Sequence, residues 1–251
     1  MTLGLPVSTM VAFMLVLARV AGLILFLPVP GFRSAPSPIR AVFALALTFA
    51  MFPVWPSPPD QLPTFGSLVA SAFAEAGFGL VAGLAVGFLN EAFQLAGQIL
   101  GVQAGYGFAT TIDPSSQADS GVLQVLLSLV TGLLFFGLGI DRELIRVLAA
   151  SFERFPAGSS AAGIEGVLRL GGGIFSIGLR LAMPVMALLL LLDLALALLG
   201  RMQQQLQLLS LTFPVKMLAA LALMAALAPV IARMFEASAA RTLHALWRVV
   251  R

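Results

Sequence analysis

A chain of 251 residues that is 60% hydrophobic and 10% charged falls far below the roughly 25% charge of a soluble domain, so lipid or partner subunits must cover what water cannot. Thirteen Arg and one Lys against 11 acids give a net charge of +3, but the arginines are scattered, which argues against nucleic acid as a partner. The absence of cysteine excludes disulfides, iron–sulfur clusters and thiolate metal sites.

The first predicted helix covers about 8–28 and is ended by Pro28, Pro30, Pro36 and Pro38. It has no basic leader, and Arg19 interrupts its apolar run, so it reads as a retained span and not a cleaved signal. A second helix follows at about 39–55 and stops at the proline-rich residues 56–60. The next apolar stretch, from Thr64 to about Ala104, is too long for one crossing: it would rise ~60 Å as a helix, against a hydrocarbon core of ~30 Å. Either it breaks near Asn90-Glu91 or it projects past the membrane as part of an assembly.

Within that stretch Glu75, Gly79, Gly83, Gly87 and Glu91 recur at four-residue spacing, a stripe that drifts only ~40° per step. Gly97, Gly101 and Gly105 resume it, with the amides Gln94, Gln98 and Gln103 alongside. Small residues so spaced let helix backbones approach closely. The stripe serves packing either inside this chain or against a similar helix in other subunits, the glutamates then pairing across the seam. A carboxylate among apolar residues is costly unless paired; Arg19 and Arg180 are the candidate partners.

A span at 121–140 leads into an amphipathic piece at 141–155, where Leu144, Leu148, Phe152 and Phe155 form one stripe and Arg142, Glu143, Arg146 and Glu153 lie elsewhere. Gly171-Gly172-Gly173 reads as a flexible break. Spans near 166–200 and 215–234 follow, and a short basic helix ends at Arg251. Asp193, inside the first of these, is a candidate proton-relay group or a buried partner for Arg180 or Arg201. The tail gathers Arg241, His244, Arg248 and Arg251 opposite Leu243, Leu246 and Val250, which suits an anionic cytoplasmic leaflet and puts the C-terminus in the cytoplasm. No segment alternates with period two. The expected fold is all-α: a polytopic membrane protein of helical hairpins with about six long apolar helices.

No Ser/His/Asp, metal-ligand or phosphate-loop constellation can be assembled from these residues. The expectation is a protein that is not an enzyme and needs no cofactor or metal. The segment that looks like a working part is 103–122. There Gly105 and Gly107 alternate with Tyr106 and Phe108, and polar and turn-forming residues follow from Thr110 through Thr111, Ile112, Asp113 and Pro114. Irregular backbone at membrane depth is tolerated only where protein buries it or it lines a cavity. It is either an exposed loop or a constriction in a conduit, with Tyr106, Phe108 and Ile112 as a hydrophobic plug.

The run AGQILGVQAGYGFATTIDPSS resembles the signature of the FliR family, the flagellar type III export-gate subunit with an injectisome counterpart. The matching residues are Glu91 to Gly97, Gly101 to Gly105, Phe108-Ala109-Thr110 and Asp113-Pro114. Arg19 followed by Pro28 to Pro38 and Arg40 agrees as well, as does the character of 148–156 and of 200–216. Gln204, Gln207 and Thr212 depart from the Pro, Asn and Gly usual there. The resemblance implies one subunit closing a ring of FliP and FliQ copies, with an FlhB-like subunit nearby. It implies a FliP-like part at about 1–165 joined to a FliQ-like part at about 166–251, in the bacterial inner membrane at the flagellar basal body. Unfolded flagellar proteins would pass, and the segment 105–114 would plug the pore. The competing readings are a self-contained secondary transporter or channel using Glu75, Glu91 and Asp193, and a scaffold without a moving part.

Overall fold

The computed structural model describes residues 6–29, 35–56, 64–106, 121–154, 164–202 and 208–250. Among them the chain is helical, with no strand: α1 Val7–Leu25, α2 Ser37–Ala50, α3 Phe65–Ala104, α4 Val122–Gly137, α5 Ile140–Arg154, α6 Ile164–Met202, α7 Leu208–Ala226 and α8 Ala228–Val250. Three of these helices are long and apolar enough to cross a membrane, or five spans result if each of two bent pairs counts as one.

Proline and glycine set the breaks. α2 starts behind Pro36 with Pro38 in its first turn and gives way to a short 3-10 turn carrying Pro53. α3 is capped by Thr64, whose Oγ1 accepts from the Ser67 N–H at 3.4 Å. It then runs unbroken for 40 residues, so the alternative of a break near Asn90-Glu91 is not taken: that region holds no proline and is rich in alanine and leucine. The bend of 62° between α4 and α5 falls at Gly139, which has a φ of +68°, a left-handed conformation that glycine adopts without cost.

Two expected boundaries are corrected. Gly171-Gly172-Gly173 lies inside α6 and makes no break, because a helix already propagated on both sides absorbs the ~1 kcal/mol each glycine costs. The span expected at 215–234 is two helices bent by 58°. Pro229, second in α8, has no N–H to give back to α7, so the chain turns at Leu227.

The chain divides into two compact units, Met1–Leu89 with Phe135–Gly171 and Ala239–Arg251, and Asn90–Leu134 with Gly172–Ser238. The first is built on α1, whose Val11, Leu15, Val16, Val20 and Leu23 are buried. Leu144, Leu148 and Phe152 of α5 are buried there as the stripe predicts, with Arg142, Arg146 and Glu153 exposed. In the tail Leu246 and Val250 are buried and Arg241, His244 and Arg248 exposed, again as the wheel predicts. The second unit centres on Phe93 and Phe235, whose rings meet edge to face at 5.3 Å, and on Thr131, which donates to Asn90 Oδ1 at 2.6 Å.

Candidate functional site

The glycine stripe is a helix crossing within the chain. A Cβ on Gly79 would lie 1.8 Å from the Arg19 carbonyl, one on Gly83 2.5 Å from that of Leu23, and one on Gly87 3.0 Å from that of Phe26. From the other side, a Cβ on Gly22 of α1 would meet the Ala76 carbonyl at 2.3 Å. The two backbones touch because neither helix carries a side chain at the crossing. Assignment of Gly79, Gly83 and Gly87 to packing against other subunits is therefore corrected: α1 already occupies that face. Gly97 does the same against α4, 2.7 Å from Gln124 Cα, while Gly101 is buried with open space where a Cβ would point. Gln94 is half-buried and Gln98 exposed.

The same crossing buries a charge. Arg19 Nε donates to Glu75, both side chains being 1% exposed, and Nη1 donates to Ser151 Oγ at 2.8 Å. The Ser151 hydroxyl in turn donates to the Leu148 carbonyl at 2.6 Å. The guanidinium lies 4.1 Å from the Phe152 ring centre and 4.8 Å from that of Phe78, so aromatic faces supply the attraction that water would have given. Glu75 is thus spent inside the chain and does not pair across a subunit seam. Arg180, the other candidate partner, is exposed on α6. Glu91 sits half-buried on α3, ~24 Å along the helix from Glu75.

At the other end of α3 the sequence-predicted working segment begins. Gly105 takes a φ of +85°; its N–H donates to the Val102 carbonyl at 3.1 Å, and that of Tyr106 to Gly101 at 2.9 Å. That pair of bonds is a Schellman stop, which uses a left-handed glycine to satisfy the last carbonyls of a helix. Gly105 is packed so closely on Phe213 of α7 that a Cβ would lie 2.7 Å from its ring. The Tyr106 hydroxyl donates to the Met217 carbonyl at 3.1 Å. Gly107, Phe108, Ala109, Thr110, Thr111, Ile112, Asp113 and Pro114 lie outside the described residues.

Beside this stop, Asp193 of α6 is held by Lys216 of α7, with Nζ 2.9 Å from Oδ1 and 3.1 Å from Oδ2. Gln103 Nε2 donates to the same carboxylate at 3.4 Å. The expected partners Arg180 and Arg201 are both exposed, so the pairing predicted for Asp193 is corrected to Lys216. Sequence reasoning missed Lys216, Phe213, Met217 and Ser151. The lysine had a signal: it is the chain's single Lys, set in an apolar helix, and an isolated intramembrane cation needs an isolated acid. Ser151 had none.

Comparison with known proteins adds the following. Residues 10–242 match the family model of bacterial export proteins, family 1. The chain is 35% identical over 224 residues to the flagellar biosynthetic protein FliR of Escherichia coli (strain K12), covering 88% of this chain and 85% of that one. It is 29% identical over 201 residues to the protein of that name from Aquifex aeolicus, covering 79% and 78% of the two chains. With the Bacillus subtilis protein it shares 28% over 211 residues, 82% and 81%.

Proposed function

The chain belongs to the bacterial export proteins, family 1, and on that premise we propose that it is a pore and gate subunit of the flagellar type III protein export apparatus. It is an integral membrane protein whose work is structural: it holds a passage for unfolded flagellar proteins and carries out no covalent step. It closes a ring of FliP and FliQ homologues beside an FlhB-like subunit, in the inner membrane at the flagellar basal body. Residues 1–165 take the FliP-like part of the build and 166–251 the FliQ-like part. The exposed basic side chains Arg241, His244 and Arg248 on α8 keep the C-terminus on the cytoplasmic side.

The observation that carries the gate assignment is the end of α3. A 40-residue helix is halted by a left-handed glycine, and the next residue is bonded to another helix, at the root of the segment 105–114 that the family signature marks as a plug. The self-contained transporter reading uses Glu75, Glu91 and Asp193 as a coupling route, and two of the three, Glu75 and Asp193, each hold a cation of their own chain. Deletion of 106–112 in the assembled complex tests the assignment. Assembly is expected to survive while cells become leaky to ions and small solutes; an assembled complex without a leak would refute the plug.

A further inference from the structure

Three features of the α3 end converge on one short stretch of α7. Phe213 packs under Gly105, Lys216 holds Asp193 and through it Gln103, and the Met217 carbonyl receives Tyr106. No two of these contacts share a residue on α3. They occupy consecutive levels, on the last turn of the helix, on its stop and on the residue beyond. Gly105 and Tyr106 are already placed by the Schellman bonds, so a second set of fastenings is redundant for ending the helix. It is not redundant for fixing where the end points.

The chemistry singles out the ion pair. Asp193 lies in the apolar helix stretch Ser176–Arg201, where a carboxylate is costly without a partner, and an apolar pair at 193 and 216 would have packed the two helices as well. The pair is only part-buried, with the Lys216 and Asp193 side chains 13% and 32% exposed. Such a pair is weaker than a fully buried one and is reversible. Gln103 reaches the carboxylate at 3.4 Å, a long hydrogen bond that depends on Lys216 holding Asp193 in place.

We infer that Lys216, Asp193 and Gln103 form a releasable clasp that fastens the C-terminal end of α3 to α6 and α7 and so positions Tyr106. Lys216 is the positioning residue; it acts through Asp193. The inference deepens the gate assignment and its consequence for leakage rests on it, but the clasp itself concerns only the helix end.

The native chain has no cysteine, so Tyr106→Cys is a unique reporter in this subunit when its partners are cysteine-free. Maleimide labelling of the assembled complex is compared in this background, in Lys216→Gln, and in the charge-exchanged double variant Asp193→Lys with Lys216→Asp. Lys216→Gln is expected to speed labelling about tenfold, the equivalent of ~1.4 kcal/mol, and the exchanged pair to return it most of the way. Equal labelling in all three, or an exchanged pair that labels as fast as Lys216→Gln, overturns the clasp. Ion leak is measured in parallel with Tyr106 intact. If Lys216→Gln speeds labelling and raises leak, both readings stand. If labelling rises without leak, the clasp stands and the plug falls.

Discussion

Gly77 and Gly79 lie two residues apart on α3, and the same substitution should act on them with opposite sign. A Cβ at Gly79 would sit 1.8 Å from the Arg19 carbonyl oxygen and 2.8 Å from its carbon, whereas at Gly77 nothing lies within 4 Å. Real Cβ contacts stop near 3.0 Å, so Gly79→Ala must part α1 and α3 by about 1.2 Å, and the obstacle is backbone that no rotamer change can move. A radial gap of ~1 Å forfeits up to half of each dispersion contact along the crossing. It also pulls Arg19 from Glu75, since the arginine whose carbonyl is struck is the one whose side chain makes the buried pair. We expect a loss of ~3 kcal/mol, the upper end for overpacking, or about 6–12 °C in Tm. Gly77→Ala meets no atom and gains ~0.5–1 kcal/mol from helix propensity alone. The assay is thermal unfolding of the detergent-solubilised chain expressed without its partners. If Gly79→Ala melts with Gly77→Ala, the stripe does not pack α1. If Gly77→Ala is neutral alone yet blocks assembly of the complex, Gly77 marks a face that a partner covers.

Arg19→Ala should cost ~3–5 kcal/mol by leaving Glu75 buried without its cation, while Arg19→Met with Glu75→Leu should recover most of it; unfolding that is equally damaged in both would show that the pair is not what the site requires. Thr131→Val strands the Asn90 side chain, 7% exposed, and should cost ~1–2 kcal/mol, measured in the same way. His244→Cys, on an exposed position of α8, should react with an impermeant maleimide in inside-out vesicles and not in intact spheroplasts; the reverse pattern would place the tail outside.

The helices were largely legible in the sequence because apolar length and proline position are local properties. Pro36 and Pro38, read as closing the first helix, stand instead at the opening of the second. Pro229 was harder, since it breaks a helix only by following another, and the apolar run across Leu227 gives no sign of a corner. The glycine stripe announced close packing but not its partner: four-residue spacing looks the same whether the facing helix is α1 or another chain. The charges show the same limit. The sequence offers Arg19 and Arg180 to the glutamates without choosing, and the structure pairs Arg19 with Glu75. It leaves Asp193 as a relay group or a partner of Arg180 or Arg201, and the structure pairs it with Lys216, because which of several helices lies alongside is a property of the tertiary arrangement alone.

Arg19 has a further consequence for how the chain is made. It is synthesised 56 residues before Glu75 and 132 before Ser151. At roughly 5–20 residues per second, α1 waits about 3–11 s for its counter-charge and about 7–26 s for the hydroxyl. During that interval a span with a guanidinium near its middle carries an insertion penalty of ~2.5–3.5 kcal/mol. The Val, Leu, Ile and Phe of α1 offset that penalty, and the long arginine side chain reaches toward the headgroups until α3 emerges. Glycines at the crossing then let α3 slide directly onto α1 and quench the charge as the two helices meet, which makes their docking the natural first committed step in the birth of this protein.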